Sequence, residues 1–405
     1  MEMRRIRKML ILLACFMLVA TACGNDGEAG TTTAAPATTA APTTTAAPAT
    51  TAAPATTAAP TTTAAPAPAE TSEPLKVAFI LLGNPADGGW NLGHDLGRQA
   101  VEAAFDDRVE TTVKESVPES PQVVQVIDDL VADGNTMIFG TSFGYMDFML
   151  EAAEKYPDVR FEHATGYKTA PNMANYTGAQ EDSKYLAGMA AGAAAENGKL
   201  GYVAPFPIPL IIKAVNAWAL GAQAVNPDAT VEVVWLNSWF DPAAERQAAE
   251  SLIADGAQVV GHSQDTPSAC QAAEAAGVFC TGNTTDQGEF TPGAWLTGDV
   301  INWGTYYVLR VGQALDGTWE TGAFYGTMAD GVMEIAPFGE AVDEDTRALI
   351  NETRDGIADG SFSYFVGPIR DQSGELRVPD GTAMTFEEIV TMDWFVEGIL
   401  GSPTG

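Results

Sequence analysis

The chain has 405 residues, with 53 acidic against 20 basic side chains and a formal net charge of −33 at neutral pH. A surface this acidic repels phosphate backbones and anionic headgroups, which excludes nucleic-acid binding and membrane attachment through a basic patch, and it suits a salty exterior. His94, His163 and His262 are scattered and no cysteine pair has zinc spacing, so no metal or other cofactor is expected.

Arg4, Arg5, Arg7 and Lys8 precede an apolar run over 9–19 that is too short to span a bilayer as a permanent helix. Ala20-Thr21-Ala22-Cys23 follows. Small residues before a cysteine resemble a bacterial lipobox, which predicts removal of residues 1–22 and lipidation of Cys23. Cleavage near Ala22 as an ordinary signal peptide is the alternative, and both readings export the chain. Residues 1–22 carry four basic side chains and one acidic, so the exported chain stands at −36. Residues 23–74 then read as a stalk. From 31 to 70 the chain is almost pure Thr, Ala and Pro, with Pro36, Pro42, Pro48, Pro54, Pro60 and Pro66 recurring every six residues. Such a segment cannot build a core and favours polyproline II, reaching on the order of 120 Å when extended.

From residue 75 onward, short apolar runs alternate with helical patterns. Strands are predicted over 76–82, 111–117, 136–140, 160–165 and 173–178, with helices over 90–105, from Ser120-Pro121 onward, 151–156 and 183–196. A second series places strands at 200–204, 230–236, 258–261, 278–281 and 295–298. Asp241-Pro242 and Thr266-Pro267 read as helix caps with a first-turn proline. A helix over 302–315 crosses back, 362–378 reads as a hairpin with a turn at Asp380-Gly381, and 386–400 as a terminal helix. Strand–helix alternation implies an α/β fold of two doubly wound lobes with parallel sheets. The lobes are expected at 75–195 with 300–320, and at 196–299 with 321–405, hinged near Ala195 and Asn302. Cys270 and Cys280 remain in an oxidising compartment, where their spacing leaves a disulfide open.

Ligands of parallel sheets bind beyond the carboxyl ends of strands. Those junctions read NPADGGWN at 84–91, GTSFGYMD at 140–147, EHATGYKT at 162–169, APFPIP at 204–209, NSWFDP at 237–242, HSQDTP at 262–267, TGNTTD at 281–286 and INWG at 301–304. Trp90, Phe143, Tyr145, Phe206, Trp239, Phe240 and Trp303 place aromatics where loops are ordinarily polar, enough to clamp a flat ring, with Asp87, Asn91, Asp265 and Thr284 as polar candidates. His163 and Tyr167 lie at a strand end, where a histidine is more often a hydrogen-bonded scaffold residue than a contact. Lys168 and Lys184 are rare positive charges without a phosphate-cradling loop.

Together with KVAFILLGNPADGGWN, GYVAPFPIP, VNPDATVEVVWLNSWFDP and INWGTYY, these runs resemble the basic membrane protein family of ABC-transporter substrate-binding lipoproteins, the purine nucleoside receptor type. The resemblance covers nearly all of 75–405. It implies a type I periplasmic-binding fold whose lobes close over a solute, and a monomer, lipid-anchored at the outer face of the cytoplasmic membrane, that serves a separate permease and ATPase. The family's two stacking aromatics fall at Trp90 and Trp239. Its ribose-gripping aspartate falls at Thr284, and a lysine before the crossing helix at Ile301. Both departures favour a free base such as adenine over a nucleoside, with Asn91 offering the paired donor and acceptor that adenine's edge demands. A solute sensor or sugar receptor of the same fold is the alternative. Gly140-Thr141-Ser142-Phe143-Gly144 also fits G-x-S-x-G, with Asp241 and His262 following in hydrolase order, but these residues belong to different predicted lobes.

Overall fold

A computed structural model describes residues 73–405; the predicted signal segment, Cys23 and the stalk through residue 72 lie outside it. The first series comprises β1 (Leu75–Ile80), α1 (Trp90–Phe105), β2 (Val109–Lys114), α2 (Gln122–Ala132), β3 (Met137–Gly140), α3 (Met146–Lys155), β4 (Arg160–Ala164) and β5 (Met173–Gly178). The second comprises α4 (Gln180–Ala194), β6 (Lys199–Ala204), α5 (Pro209–Val225), β7 (Thr230–Trp235), α6 (Pro242–Ala254), β8 (Val259–His262), α7 (Ser268–Ala276), β9 (Phe279–Gly282) and β10 (Trp295–Ile301). There follow α8 (Trp303–Asp316), β11 (Ala323–Gly326), β12 (Met333–Ile335), α9 (Glu344–Asp359), β13 (Ile369–Arg370), β14 (Leu376–Val378), α10 (Phe386–Val390) and β15 (Ile399–Leu400).

The two series repeat one topology. The first sheet runs β2-β1-β3-β4-β5 with β11 added beside β5, all parallel. The second runs β7-β6-β8-β9-β10, parallel, extended by β15 beside β7 and by antiparallel β12 beside β10. Both are doubly wound sheets with a switch point, at β1/β3 and at β6/β8, where neighbouring loops diverge and leave a crevice. Strands such as β1 (LKVAFI) and β3 (MIFG) are apolar on both faces because helices cover both.

The chain passes between the sheets three times. Contrary to the expected boundary near Ala195, α4 belongs with the second sheet, packing on α5 and β10, so the first passage lies at 178–180. Gly188 explains the fit: a side chain there would strike the Trp218 backbone on α5. The second passage is at Asn302, after which α8 packs on α1, and the third is 327–332. The passages bond to one another, Ala179 N–H to Gly326 O (2.8 Å) and Asn302 N–H to Val332 O (2.8 Å). Strand β11, expected with the second lobe, completes the first sheet instead.

Local signals mark many boundaries. Asp241 caps α6 by accepting from Ala244 N–H at 3.0 Å, with Pro242 at the first helical position. Helix α7 begins one residue later than its Thr266-Pro267 signal, at Ser268. The C-terminal expectation fails. The predicted helix over 386–400 stops at Val390, and the hairpin is the shorter β13–β14 pair, turning before residue 376 rather than at Asp380-Gly381. Buried Asn216 on α5 holds the following segment extended, donating to Trp394 O at 2.8 Å and accepting from Val396 N–H at 3.0 Å. Cys270 and Cys280, whose pairing the sequence left open, form a disulfide with Cα atoms 5.3 Å apart. Among the described residues no helix is long and apolar enough to cross a membrane.

Candidate functional site

A cavity lies at the carboxyl ends of both sheets. The first series contributes Leu82, Trp90, Ser142, Phe143 and Thr165; the second contributes Gln180, Leu210, Ile211, Trp239, Ser263, Asp265, Asn283 and Thr284.

Of the ten expected ligand residues, Trp90, Phe143, Trp239, Asp265 and Thr284 line the cavity. Trp90 opens α1 and is held at its edge: Nε1 donates to Thr141 O at 2.7 Å, and the ring meets His94 and Trp303 edge-on at 4.5 and 5.9 Å. Trp239 follows β7 on the opposite side, packed against Phe206 at 5.0 Å.

The other five do not line it. Asp87 binds the first turn of α1, accepting from Gly89, Asn91 and Leu92 N–H. Asn91 has both ends of its amide committed, Oδ1 to Gly83 N–H (2.9 Å) and Nδ2 to Asp87 (2.7 Å), so it cannot read a ligand edge as expected. Tyr145 is buried, its hydroxyl donating to Val117 O, and Trp303 is buried against His94 and Trp90. Phe206 supports Trp239 without lining the cavity.

Leu82, Thr165, Gln180, Leu210, Ile211, Ser263 and Asn283 escaped the sequence reading, and Ser142 entered it only as a hydrolase candidate. Most follow strand ends or open helices, and that shared position was the available signal. Backbone strain supplies another marker. Thr165 and Thr284 adopt φ of 61° and 63°, and Asn237, two residues before Trp239, 55°. Left-handed geometry is costly for β-branched residues and clusters at functional sites.

The second-sheet wall is polar and incompletely satisfied. Asp265 Oδ2, Asn283 Oδ1 and Thr284 Oγ1 are buried without a hydrogen-bond partner among the described residues. Burial raises the Asp265 carboxyl well above its usual range, and the charges of Asp87, Glu245 and Glu119 push the same way. Beneath this wall Lys184 pairs with Asp299 at 2.8 Å, both fully buried, and donates to His262 O at 2.7 Å. Asp299 also accepts from Thr284 N–H at 3.2 Å, which ties the ion pair to the cavity loop. Burial lowers His163 to about 4; His262 falls to about 3 through burial and the Lys184 charge.

Hydrolase geometry is missing around Ser142. Its hydroxyl donates to Glu119, His163 reaches the Ser142 carbonyl rather than the hydroxyl, Asp241 caps α6, and His262 Nδ1 accepts from Gln264 N–H. Among the described residues no cluster of His, Cys, Asp and Glu is arranged to hold a metal ion.

Residues 75–361 match the Bmp family, described as "ABC transporter substrate-binding protein PnrA-like". A "Purine-binding protein" of Brucella abortus (strain 2308) is 39% identical over 331 residues, 82% of this chain and 94% of that protein. TsgA13 of Haloferax volcanii, provisionally named an ABC transporter glucose-binding protein, is 37% identical over 330 residues, 81% of each chain. Solved solute-binding proteins of ABC systems share the fold: one from Aeropyrum pernix K1 (TM-score 0.62, 18% identity, 73% of this chain and 94% of that one) and one from Conexibacter woesei (0.60, 23%, 71% and 98%).

Proposed function

This chain belongs to the PnrA-like family of ABC transporter substrate-binding proteins, and from that membership we propose that it holds a purine between its two sheets and delivers it to a membrane permease. The observation that carries the reading is the pair of tryptophans, Trp90 and Trp239, lining one cavity from opposite sheets. Stacking contributes about 1–3 kcal/mol per aromatic contact, a large share of the roughly 8 kcal/mol that micromolar affinity represents.

The favoured ligand is a free base such as adenine. Thr284 stands where the family carries a ribose-directed aspartate, and Ile301, at the lysine position, is buried in β10 and does not line the cavity. The protein works as a monomer outside the cytoplasmic membrane, tethered by lipid at Cys23 and a stalk. A separate permease and ATPase read its ligand-bound form. Ligand contacts from both halves favour closure, with the three passages as hinge.

A sugar is the second reading, favoured by the name of the Haloferax volcanii relative. Calorimetry with adenine, adenosine and glucose separates them. Adenine is expected to bind in the micromolar range or tighter. Adenosine binding at least tenfold tighter than adenine rejects the free-base assignment, and glucose binding without purine binding rejects the purine.

A further inference from the structure

Among the described residues Asp265 is the one acidic side chain lining the cavity. It is only 4% exposed, and its Oδ2 has no partner among them. Its position is fixed on two sides. The main-chain N–H donates to Trp239 O at 3.1 Å, and Gly89, from the opposite half, packs against its carbonyl. The Asp265 backbone therefore adjoins both the Trp239 backbone and the start of the helix that carries Trp90, and its side chain lines the cavity that both tryptophans line.

The ionisable groups facing it are all acidic: Asp87 from the turn before α1, Glu119 from the loop before α2, and Glu245 from α6. At the end of the strand that leads to it, His262 is buried and held neutral at ordinary pH. Lys184 is committed to Asp299 and the His262 carbonyl. A buried carboxylate among three like charges is strongly disfavoured, while the protonated form is not.

The protonation state decides which edge can be read. An ionised carboxylate only accepts, so its best match is an edge with two adjacent donors, such as the N1–H and 2-amino group of guanine. A carboxylic acid offers one donor and one acceptor, which match the ring nitrogen and 6-amino group of adenine. We propose that Asp265 receives the ligand as a neutral carboxylic acid and reads an edge with one acceptor beside one amino donor, the ring nitrogen and 6-amino group of a 6-aminopurine, rather than the two-donor edge of guanine that a carboxylate would select. The inference rests on the purine reading above and names its specificity-determining residue, a role expected of Asn91 from sequence. Asn283 Oδ1 and Thr284 Oγ1, also unpartnered, line the same wall.

The test is calorimetry of residues 73–405 and two variants with adenine and guanine, across pH and in buffers of different ionisation enthalpy, with thermal melts to confirm folding. Asparagine mimics the neutral acid, so Asp265→Asn should keep adenine affinity within about threefold and lose its pH dependence. Asp265→Ala should weaken adenine about 10- to 100-fold through two lost hydrogen bonds. The unaltered protein should bind adenine at least as tightly as guanine. Its adenine affinity should fall as pH rises through the elevated Asp265 value, with proton uptake on binding above it. A folded Asp265→Asn protein as defective as Asp265→Ala, or tighter binding of guanine than adenine by the unaltered protein, overturns the inference while leaving purine binding intact. If neither variant folds, the unaltered protein's purine preference and proton uptake decide it. Absence of any purine binding overturns both.

Discussion

Gly89 sits where the two halves touch, which makes Gly89→Ala a direct probe of closure. A β-carbon there would lie 2.8 Å from the Asp265 carbonyl carbon and closer still to its oxygen, so the halves could not approach as they do. The neighbouring Gly88 carbonyl accepts from Thr285 Oγ1 at 2.8 Å and from Gln287 Nε2 at 3.2 Å, and both bonds cross between the halves. At about 0.5–1.5 kcal/mol each, their loss removes about 1–3 kcal/mol from the closed form. If ligand binding draws on closure, affinity falls about 5- to 150-fold. Thr285→Val deletes one of the two bonds without adding bulk and should cost about a third to a half as much. Titration calorimetry measures affinity, and small-angle scattering with saturating ligand reports whether the variant still compacts. Ligand-free melting temperature checks that the halves themselves remain folded. A Gly89→Ala protein that binds as tightly as the original and compacts as fully would refute the closure argument.

Three further outcomes concern what holds the cavity wall. Burial works against the Lys184 charge, yet Asp299 outweighs it and keeps the ammonium above its ordinary value. Lys184→Met therefore strands a buried carboxylate and should cost about 3–5 kcal/mol, a drop of about 4–7 °C for the roughly 330 residues of the two sheets and their helices, whereas adding Asp299→Leu should restore much of it; a single variant melting within 1 °C of the original contradicts the pairing. The Cys270–Cys280 bridge spans 10 residues, so Cys270→Ala with Cys280→Ala should cost about 2–3 kcal/mol, read by urea unfolding under oxidising conditions. Burial raises Glu245 from 4.5 to about 7, with Thr266 opposing the shift. Its folded value exceeds its unfolded one, so the associated stability is complete below pH 4.5 and is lost as pH rises through 7. Unfolding free energies from pH 4 to 8 should show this slope, and Glu245→Gln should flatten it.

The sheets were legible because buried parallel strands leave apolar runs such as KVAFILL, punctuated by helix starts such as Asp241-Pro242. Predicted bounds at 90–105 and 173–178 coincide with α1 and β5. Strands β11 and β12, of four and three residues, carry too little pattern, and docking on sheet edges decides their state. The missing terminal helix has a tertiary cause in Asn216, which captures backbone groups at Trp394 and Val396. Within the site, strand-end position pointed to Trp90, Phe143, Trp239, Asp265 and Thr284, which line the cavity. It misplaced Asn91 because the partners consuming its amide, Gly83 and Asp87, are visible only once the loop is folded. Gln180, Leu210 and Ile211 were missed because a polar amide and two aliphatic residues opening helices carry no chemical signature of their own.

The proposed transport role rests on a planar base held between Trp90 and Trp239. The direct test titrates adenine into residues 73–405 and into their Trp90→Ala and Trp239→Ala variants. Binding to the unaltered protein should be micromolar or tighter, with a loss of about 1–3 kcal/mol, 5- to 150-fold, in each variant. Tight adenine binding that survives both substitutions unchanged would contradict it.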